Sequence, residues 1–238
     1  MIERPLYDGV DLEVLAEMPN YYGWIMQIFQ EHLCGKAIEF GAGSGSISSR
    51  LLPCVDELEL VEPSANLVRL LRFRFGNLQT VKISPKTLEQ RIAEPLAGLH
   101  QTVVAVNLLE HIKDDLEALN GFWRLLAPGG KLCLFVPALP MLMSALDRKF
   151  GHFRRYSLNP LTDMLANAGF LVIRAEYFDF LGLIPWLIVN RWGGVVNFNS
   201  AAVKVYDSVG VPVTKALESL ISPRIGKNII VIAEKPRS

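Results

Sequence analysis

Residues 36–46 read Lys-Ala-Ile-Glu-Phe-Gly-Ala-Gly-Ser-Gly-Ser, and no other stretch constrains the fold as strongly. The run 37–40 has the length and character of a buried strand. It breaks into glycines at alternate positions, Gly41, Gly43 and Gly45, and a helical pattern follows from Ser46. A strand that turns through glycines into a helix brings backbone N–H groups against a ligand with no Cβ in the way. In a doubly wound α/β sheet that arrangement holds a nucleotide-like cofactor.

The flanking pattern agrees. Strands are expected at 36–40, 58–61, 80–83, 102–106 and 131–136. Helices are expected at 11–33 (broken near Met18-Pro19-Asn20), 46–52 (stopped by Pro53), 64–75 with Ser64 as N-cap, 88–96, and 114–126 ended by Pro128-Gly129-Gly130. Five alternations of strand and helix describe an open, mostly parallel sheet. After 137 the rhythm changes. A long connection precedes a helix at 160–168, a sixth strand at 171–178 and a last strand at 228–233. The 179–227 segment between these strands is far too long for a simple turn and is expected to form a cap or a homodimer face. The resulting division is an N-terminal helical segment 1–34 over the cofactor, a core at 35–178, the excursion 179–227 and a final core strand at 228–238.

Composition narrows the function classes. The 238 residues are 50% hydrophobic, and Lys plus Arg and Asp plus Glu number 24 each. Disorder is disfavoured, and a general nucleic-acid binder would show a basic excess. Cys34, Cys54 and Cys133 are odd in number and lie in or beside core elements, the usage of a reducing, cytoplasmic setting. The apolar run 178–189 carries Asp179 and Pro185 and is too short to span a bilayer. A buried wall is the expected reading, and contact with a membrane surface is the alternative.

The dinucleotide fingerprint G-x-G-x-x-G would place its third glycine at position 46, which is Ser46. The spacing is instead G-x-G-x-G, with Glu39 two positions ahead. A carboxylate there would repel a pyrophosphate and suits an ammonium group. Glu62, ending the second strand, stands where doubly wound folds bind ribose hydroxyls.

With these residues in order, Glu39-Phe-Gly-Ala-Gly-Ser-Gly45, Val61-Glu-Pro63, Asn107-Leu-Leu-Glu-His-Ile112 and Leu125-Leu-Ala-Pro-Gly-Gly130, the chain resembles the class I S-adenosylmethionine-dependent methyltransferases. The later Gly151-His-Phe-Arg-Arg-Tyr-Ser157, Ala168-Gly-Phe170 and 226–233 resemble one branch of that superfamily, whose substrates are mostly unassigned. The resemblance implies a Rossmann-like seven-stranded sheet with an antiparallel last strand, S-adenosyl-L-methionine as methyl donor and S-adenosyl-L-homocysteine as product. It implies that Gly41, Ala42, Gly43 and Gly45 pack against the methionine part, Glu39 anchors the ammonium group, and Glu62 binds the ribose with Pro63 and Ser64 beside the adenine. Asn107, Leu108 and Leu109 would line the boundary between cofactor and acceptor. Many relatives place an Asp after the third strand; here no Asp occurs, and Thr87, Leu88 or a backbone carbonyl must meet the adenine amine.

Methyl transfer is an in-line displacement that needs alignment and exclusion of water, and a base only where the nucleophile must lose a proton. His111 and His152 are the catalytic candidates. Arg154, Arg155 and Tyr156 could grip an anionic or sugar-like acceptor, although Arg155 could equally pin its loop by pairing with Asp147 or Glu110. Tyr22, with Tyr21 and Trp24, lies in the covering segment, as substrate contact or as core. Arg69, Arg72 and Arg74 read as a solvated helix face. No spacing suggests a metal site, and the fourth-strand end lacks the Pro-Pro-aromatic of nucleobase-modifying enzymes. The expected activity is methylation of oxygen or nitrogen on a small molecule, with no nucleic-acid partner. An NAD(P)-dependent oxidoreductase and a non-catalytic cofactor-binding subunit are the rival readings.

Overall fold

The computed structural model describes residues 18–95, 98–192 and 200–237. The parts of the expected elements at 11–17 and 96–97 lie outside them. Seven strands form one sheet: β1 (Lys36–Phe40), β2 (Glu57–Val61), β3 (Val81–Ser84), β4 (His100–Val106), β5 (Leu126–Pro137), β6 (Leu171–Phe178) and β7 (Asn228–Glu234). Their order is β3-β2-β1-β4-β5-β7-β6. The pairs up to β5 are parallel, and β7 runs antiparallel to both β5 and β6.

Both faces of the sheet are buried, so its central strands read as continuous apolar runs. Ile38, Val103, Leu132, Leu134 and Val231 face one core, closed by helices Leu88–Ile92, Asp115–Leu125 and Leu158–Asn167. Their neighbours Ala37, Val104, Cys133, Phe135 and Ile232 face the other, closed by helices Pro19–Phe29 and Ala65–Phe75. Strand alternation thus divides one apolar sequence between two cores.

Three local expectations change. Pro128-Gly129-Gly130 does not end a helix in a loop; it lies inside a long β5, after a helix that already stops at Leu125. Gly129 takes φ +80°, and Gly129 N–H and Gly130 C=O pair with Lys235, so the glycines bend a strand that the last strand continues to hold. The helix after the glycine loop spans only Ser48–Leu51, and Pro53 sits in the following 3₁₀ turn. Ser64 occupies the N-cap position, but its side chain makes no capping bond there.

The described part of the excursion is helical: Leu183–Trp192, Ser200–Val205, a π-turn Tyr206–Gly210 and Val211–Glu218. It is tied to the N-terminal helix. That helix has no side-chain cap of its own at Met18. Asp207 supplies one from far along the chain, accepting from the N–H groups of Asn20 at 3.1 Å and Tyr21 at 2.9 Å. Carboxylates at a helix start satisfy orphan N–H groups and complement the dipole. A second buried carboxylate, Asp179, pairs with Lys227 at 3.0 Å and accepts from Tyr206 Oη, fixing where the excursion leaves and rejoins the sheet. Among the described residues no helix is long and apolar enough to cross a membrane.

Candidate active site

The carboxyl ends of β1, β2 and β4 meet at one edge of the sheet, where open α/β sheets bind ligands. Gly41, Gly43 and Gly45 all take left-handed backbone conformations, φ +72°, +55° and +81°. Two of them also answer a close approach. A Cβ at Gly41 would lie 3.1 Å from Leu108 Cδ1, and one at Gly45 would lie 2.5 Å from the Phe75 ring. Gly45 therefore lets the Ala65–Phe75 helix close on the loop. From the solvated face of that helix the exposed Arg74 donates to Ser44 C=O and so braces the loop.

Two buried carboxylates flank the loop. Glu62 accepts from Gly43 N–H at 3.0 Å through one oxygen and from Ser64 N–H at 2.9 Å through the other. Each oxygen keeps a lone pair for a further donor. Glu39 accepts from Ser48 Oγ at 2.5 Å. Burial pushes its carboxyl up to about 8, with nearby Glu62 adding to the effect and Ser48 opposing it.

Beside the loop lies a cleft walled by Phe40, Gly41, Val61, Pro63, Leu88 and Leu108. Its lining is mostly apolar, and Ala42 and Ser64, adjacent in sequence to Gly41 and Pro63, are buried. Thr87 borders it, but its hydroxyl accepts from Gln90 N–H at 3.2 Å in a capping box, so its oxygen is already engaged. A second depression, lined by Glu57, Glu59 and His100, opens at the opposite, amino-terminal edge of the strands.

At the end of β4, Asn107 takes φ +49°, a strained conformation for a residue with a side chain, and donates its N–H to Phe135 C=O at 2.9 Å. Leu109, Glu110 and His111 follow in a 3₁₀ turn, with Leu109 fully buried. His111 reaches the cleft wall. Its ring meets that of His152 edge-on, centroids 4.6 Å apart. His152 hydrogen-bonds Asp147 Oδ1 through Nδ1 at 3.1 Å. Glu110 completes the corner: side-chain donor atoms of Glu110, His111 and His152 all lie within 4.8 Å of one another.

The other acceptor-side candidates hold the corner together. Arg155 is buried, makes three bonds to Asp147, donates to Ala138 C=O and stacks on Trp186. Of its two expected roles, loop pinning through Asp147 is the one observed. Arg154 pairs with Asp115 at 2.7 Å and donates to Lys113 C=O at 2.6 Å. Tyr156 donates toward Leu109 C=O and Asp115, each at 3.1 Å. The anion grip expected of these three residues thus finds its donors already directed at protein acceptors. Tyr22 is buried with Arg50 over its ring at 5.7 Å.

Glu110 and Asp147 were not among the expected site residues. The signal for Glu110 was its place beside His111. Asp147 precedes His152 in a loop whose pairing with the β4 end no local pattern announces.

Residues 23–175 match the family described as "Methyltransferase domain". This chain belongs to that methyltransferase family. The chain is 28% identical over 151 residues to the C-methyltransferase NovU of Streptomyces niveus, covering 61% of this chain and 35% of that protein, so it spans about a third of that relative's length. Two solved methyltransferases share the fold. Geranyl diphosphate methyltransferase with bound S-adenosylmethionine has TM-score 0.65 and 13% identity, over 97% of this chain and 92% of that one. The N-methyltransferase NodS of Bradyrhizobium japonicum with S-adenosylhomocysteine has TM-score 0.59 and 11% identity, over 91% and 86%. The chain therefore carries a methyltransferase domain with a Rossmann-like fold, which argues against the oxidoreductase reading.

Proposed function

We propose that this methyltransferase passes its methyl group to a small acceptor docked against the corner formed by Glu110, His111 and His152. The observation that carries the reading is that His111 belongs both to this corner and to the wall of the cofactor cleft. When bound, S-adenosylmethionine supplies a methyl group on a sulfonium centre.

The residues around the cleft fit that group. Glu62 has lone pairs left for ribose hydroxyls, and the slot between Val61, Pro63 and Leu88 suits an adenine ring. Glu39, buried beneath the loop, would face the ammonium end. Asn107, Leu108 and Leu109 hold the boundary, and the corner's task is to make the acceptor atom more nucleophilic by drawing off its proton. The acceptor atom is then an oxygen or nitrogen with a removable proton, or an acidified carbon of the kind the C-methyltransferase relative's name implies. Because Arg154 and Arg155 are engaged elsewhere, the proposal requires no anionic group on the acceptor. Turnover of labelled S-adenosylmethionine over a panel of small hydroxyl, amine and ketone acceptors tests it. His152→Ala should lower kcat by about 10²–10⁴-fold and leave the KM for the donor unchanged; unaltered kcat with a turned-over acceptor would remove the corner from the chemistry.

The buried Glu39 makes donor binding pH-dependent. Without ligand its carboxyl stays protonated up to about 8. Pairing with an ammonium group favours the ionised form, so binding releases a proton below that pH. Affinity for S-adenosylhomocysteine should rise as pH rises, by up to about tenfold per unit, and level off near the raised value. Calorimetry in buffers of differing ionisation enthalpy reads the proton directly. Glu39→Gln should abolish its release; a wild-type affinity independent of pH would rule out the pairing.

A further inference from the structure

We infer that Glu110, His111 and His152 form a site for one divalent transition-metal ion, open on the side that faces the cofactor cleft. The inference deepens the proposed function and rests on it for the ion's role in methyl transfer.

The donor set comes first. Two imidazoles and one carboxylate are the ligands that hold Zn²⁺, Co²⁺, Mn²⁺ or Fe²⁺ while leaving positions free for another ligand. Their donor atoms already lie within 4.8 Å of one another. Ligands about 2.1 Å from a common ion stand roughly 3–3.5 Å apart, so small side-chain rotations close the site.

Glu110 is the second observation. Its side chain is fully buried, and neither carboxylate oxygen has a hydrogen-bond partner among the described residues. An unanswered carboxylate in the interior is costly, and buried charges are ordinarily paired or bound to metals. The rings of His111 and His152 stand close to it, and the charges of Arg155 and Asp147 also reach it.

The third is the arrangement behind His152. Its Nδ1 faces Asp147 at 3.1 Å, which leaves Nε2 as the nitrogen available to a ligand. A carboxylate behind a histidine fixes the tautomer and the ring orientation of metal-binding imidazoles. Asp147 is itself held by Arg155 and by Ser144, whose Oγ and N–H both donate to it at 2.7 Å. Asp147, itself paired with Arg155, thus fixes the ring of an imidazole that stands close to an unpartnered carboxylate.

An ion here would sit at the acceptor end of the cleft. An acceptor hydroxyl bound to it would ionise near neutral pH, its proton passing to water. The oxygen lone pair then forms the new bond to the methyl carbon, and the carbon–sulfur bond breaks with both electrons remaining on sulfur.

The test uses the full chain stripped by a chelator, then titrated with Co²⁺ under visible spectroscopy and back-titrated with Zn²⁺. One Co²⁺ per chain should bind, and Glu110→Gln and His152→Gln should each weaken it at least about tenfold. Glu110→Gln keeps the shape and removes only the carboxyl group, so its metal-free unfolding midpoint should equal or exceed that of the wild type, which separates ligand loss from misfolding. S-adenosylhomocysteine should bind the stripped protein by calorimetry. No Co²⁺ binding, or equal binding by all three proteins, would overturn the metal site and leave the corner as a metal-free proton acceptor. Failure of S-adenosylhomocysteine to bind would strike the donor reading instead.

Discussion

Glu59→Ala is expected to lower the free energy of unfolding by about 3–5 kcal/mol, the range for breaking a buried ion pair from one side. Glu59 and Arg91 are both buried and meet in two bonds, Nε to Oε1 at 2.9 Å and Nη2 to Oε2 at 3.0 Å. Ser84 Oγ adds a bond at 2.5 Å, Lys82 reaches Oε1 at 3.2 Å and His100 stands 3.7 Å away. The pair joins β2 to the Leu88–Ile92 helix, under the wall that carries Leu88. Removing the carboxylate leaves the buried guanidinium with only Glu94, 3.6 Å from Nη1, as counter-charge. Arg91→Met combined with Glu59→Ala should therefore be less damaging than Glu59→Ala alone, and urea unfolding of both variants measures the difference. A loss below about 1 kcal/mol for Glu59→Ala would show that solvent reaches the pair. The acid side follows with a definite sign. Burial alone would raise the Glu59 carboxyl, but His100, Arg91 and Ser84 outweigh it and hold the group well below the usual carboxylate range. Its stabilising effect is therefore complete above the ordinary carboxylate value and fades as pH falls through and below it.

Glu62→Ala should weaken S-adenosylhomocysteine binding by at least about tenfold, since a hydrogen bond to a charged group contributes roughly 1.5–3 kcal/mol. The carboxylate does two jobs at once. It ties Gly43 N–H to Ser64 N–H, setting the curvature of the glycine loop, and it keeps free lone pairs for the ribose. The alanine variant loses both. Calorimetry gives the affinity, and thermal unfolding of the ligand-free variant gives the share due to the loop. An affinity within about twofold of wild type would remove Glu62 from the donor site.

Much of the sheet was legible because a parallel strand buried on both faces leaves an apolar run that few other structures produce. Residues 102–106 show this directly. The donor loop was legible for a related reason: three left-handed turns in five residues admit almost only glycine. The 179–227 excursion was not legible, because its anchors, Asp207 on the N-terminal helix and Asp179 on Lys227, act across long sequence separations. Pro128-Gly129-Gly130 misled because a stop signal for a helix is also a bend signal for a strand, and only the partner strand decides between them. The arginines of 151–157 showed charge without direction. Asp147 takes up the charge of Arg155, as one of the two sequence readings offered, while Asp115 and the carbonyls of Lys113 and Ala138 complete the pairing of Arg154 and Arg155 with no local pattern to announce it. The corner itself combines a motif at 107–112 with a loop at 147–156, so its chemistry exists only after folding.

The central claim is that the donor's sulfur, held by Glu39, the glycine loop and Glu62, faces the Glu110–His111–His152 corner. A crystal structure of the complex with S-adenosylhomocysteine tests it most directly. Glu62 is expected in hydrogen-bond contact with the ribose hydroxyls, the ammonium group at Glu39 and the sulfur turned toward the His111 and His152 rings. A ligand seated in the same cleft with its sulfur turned away from those rings would contradict it.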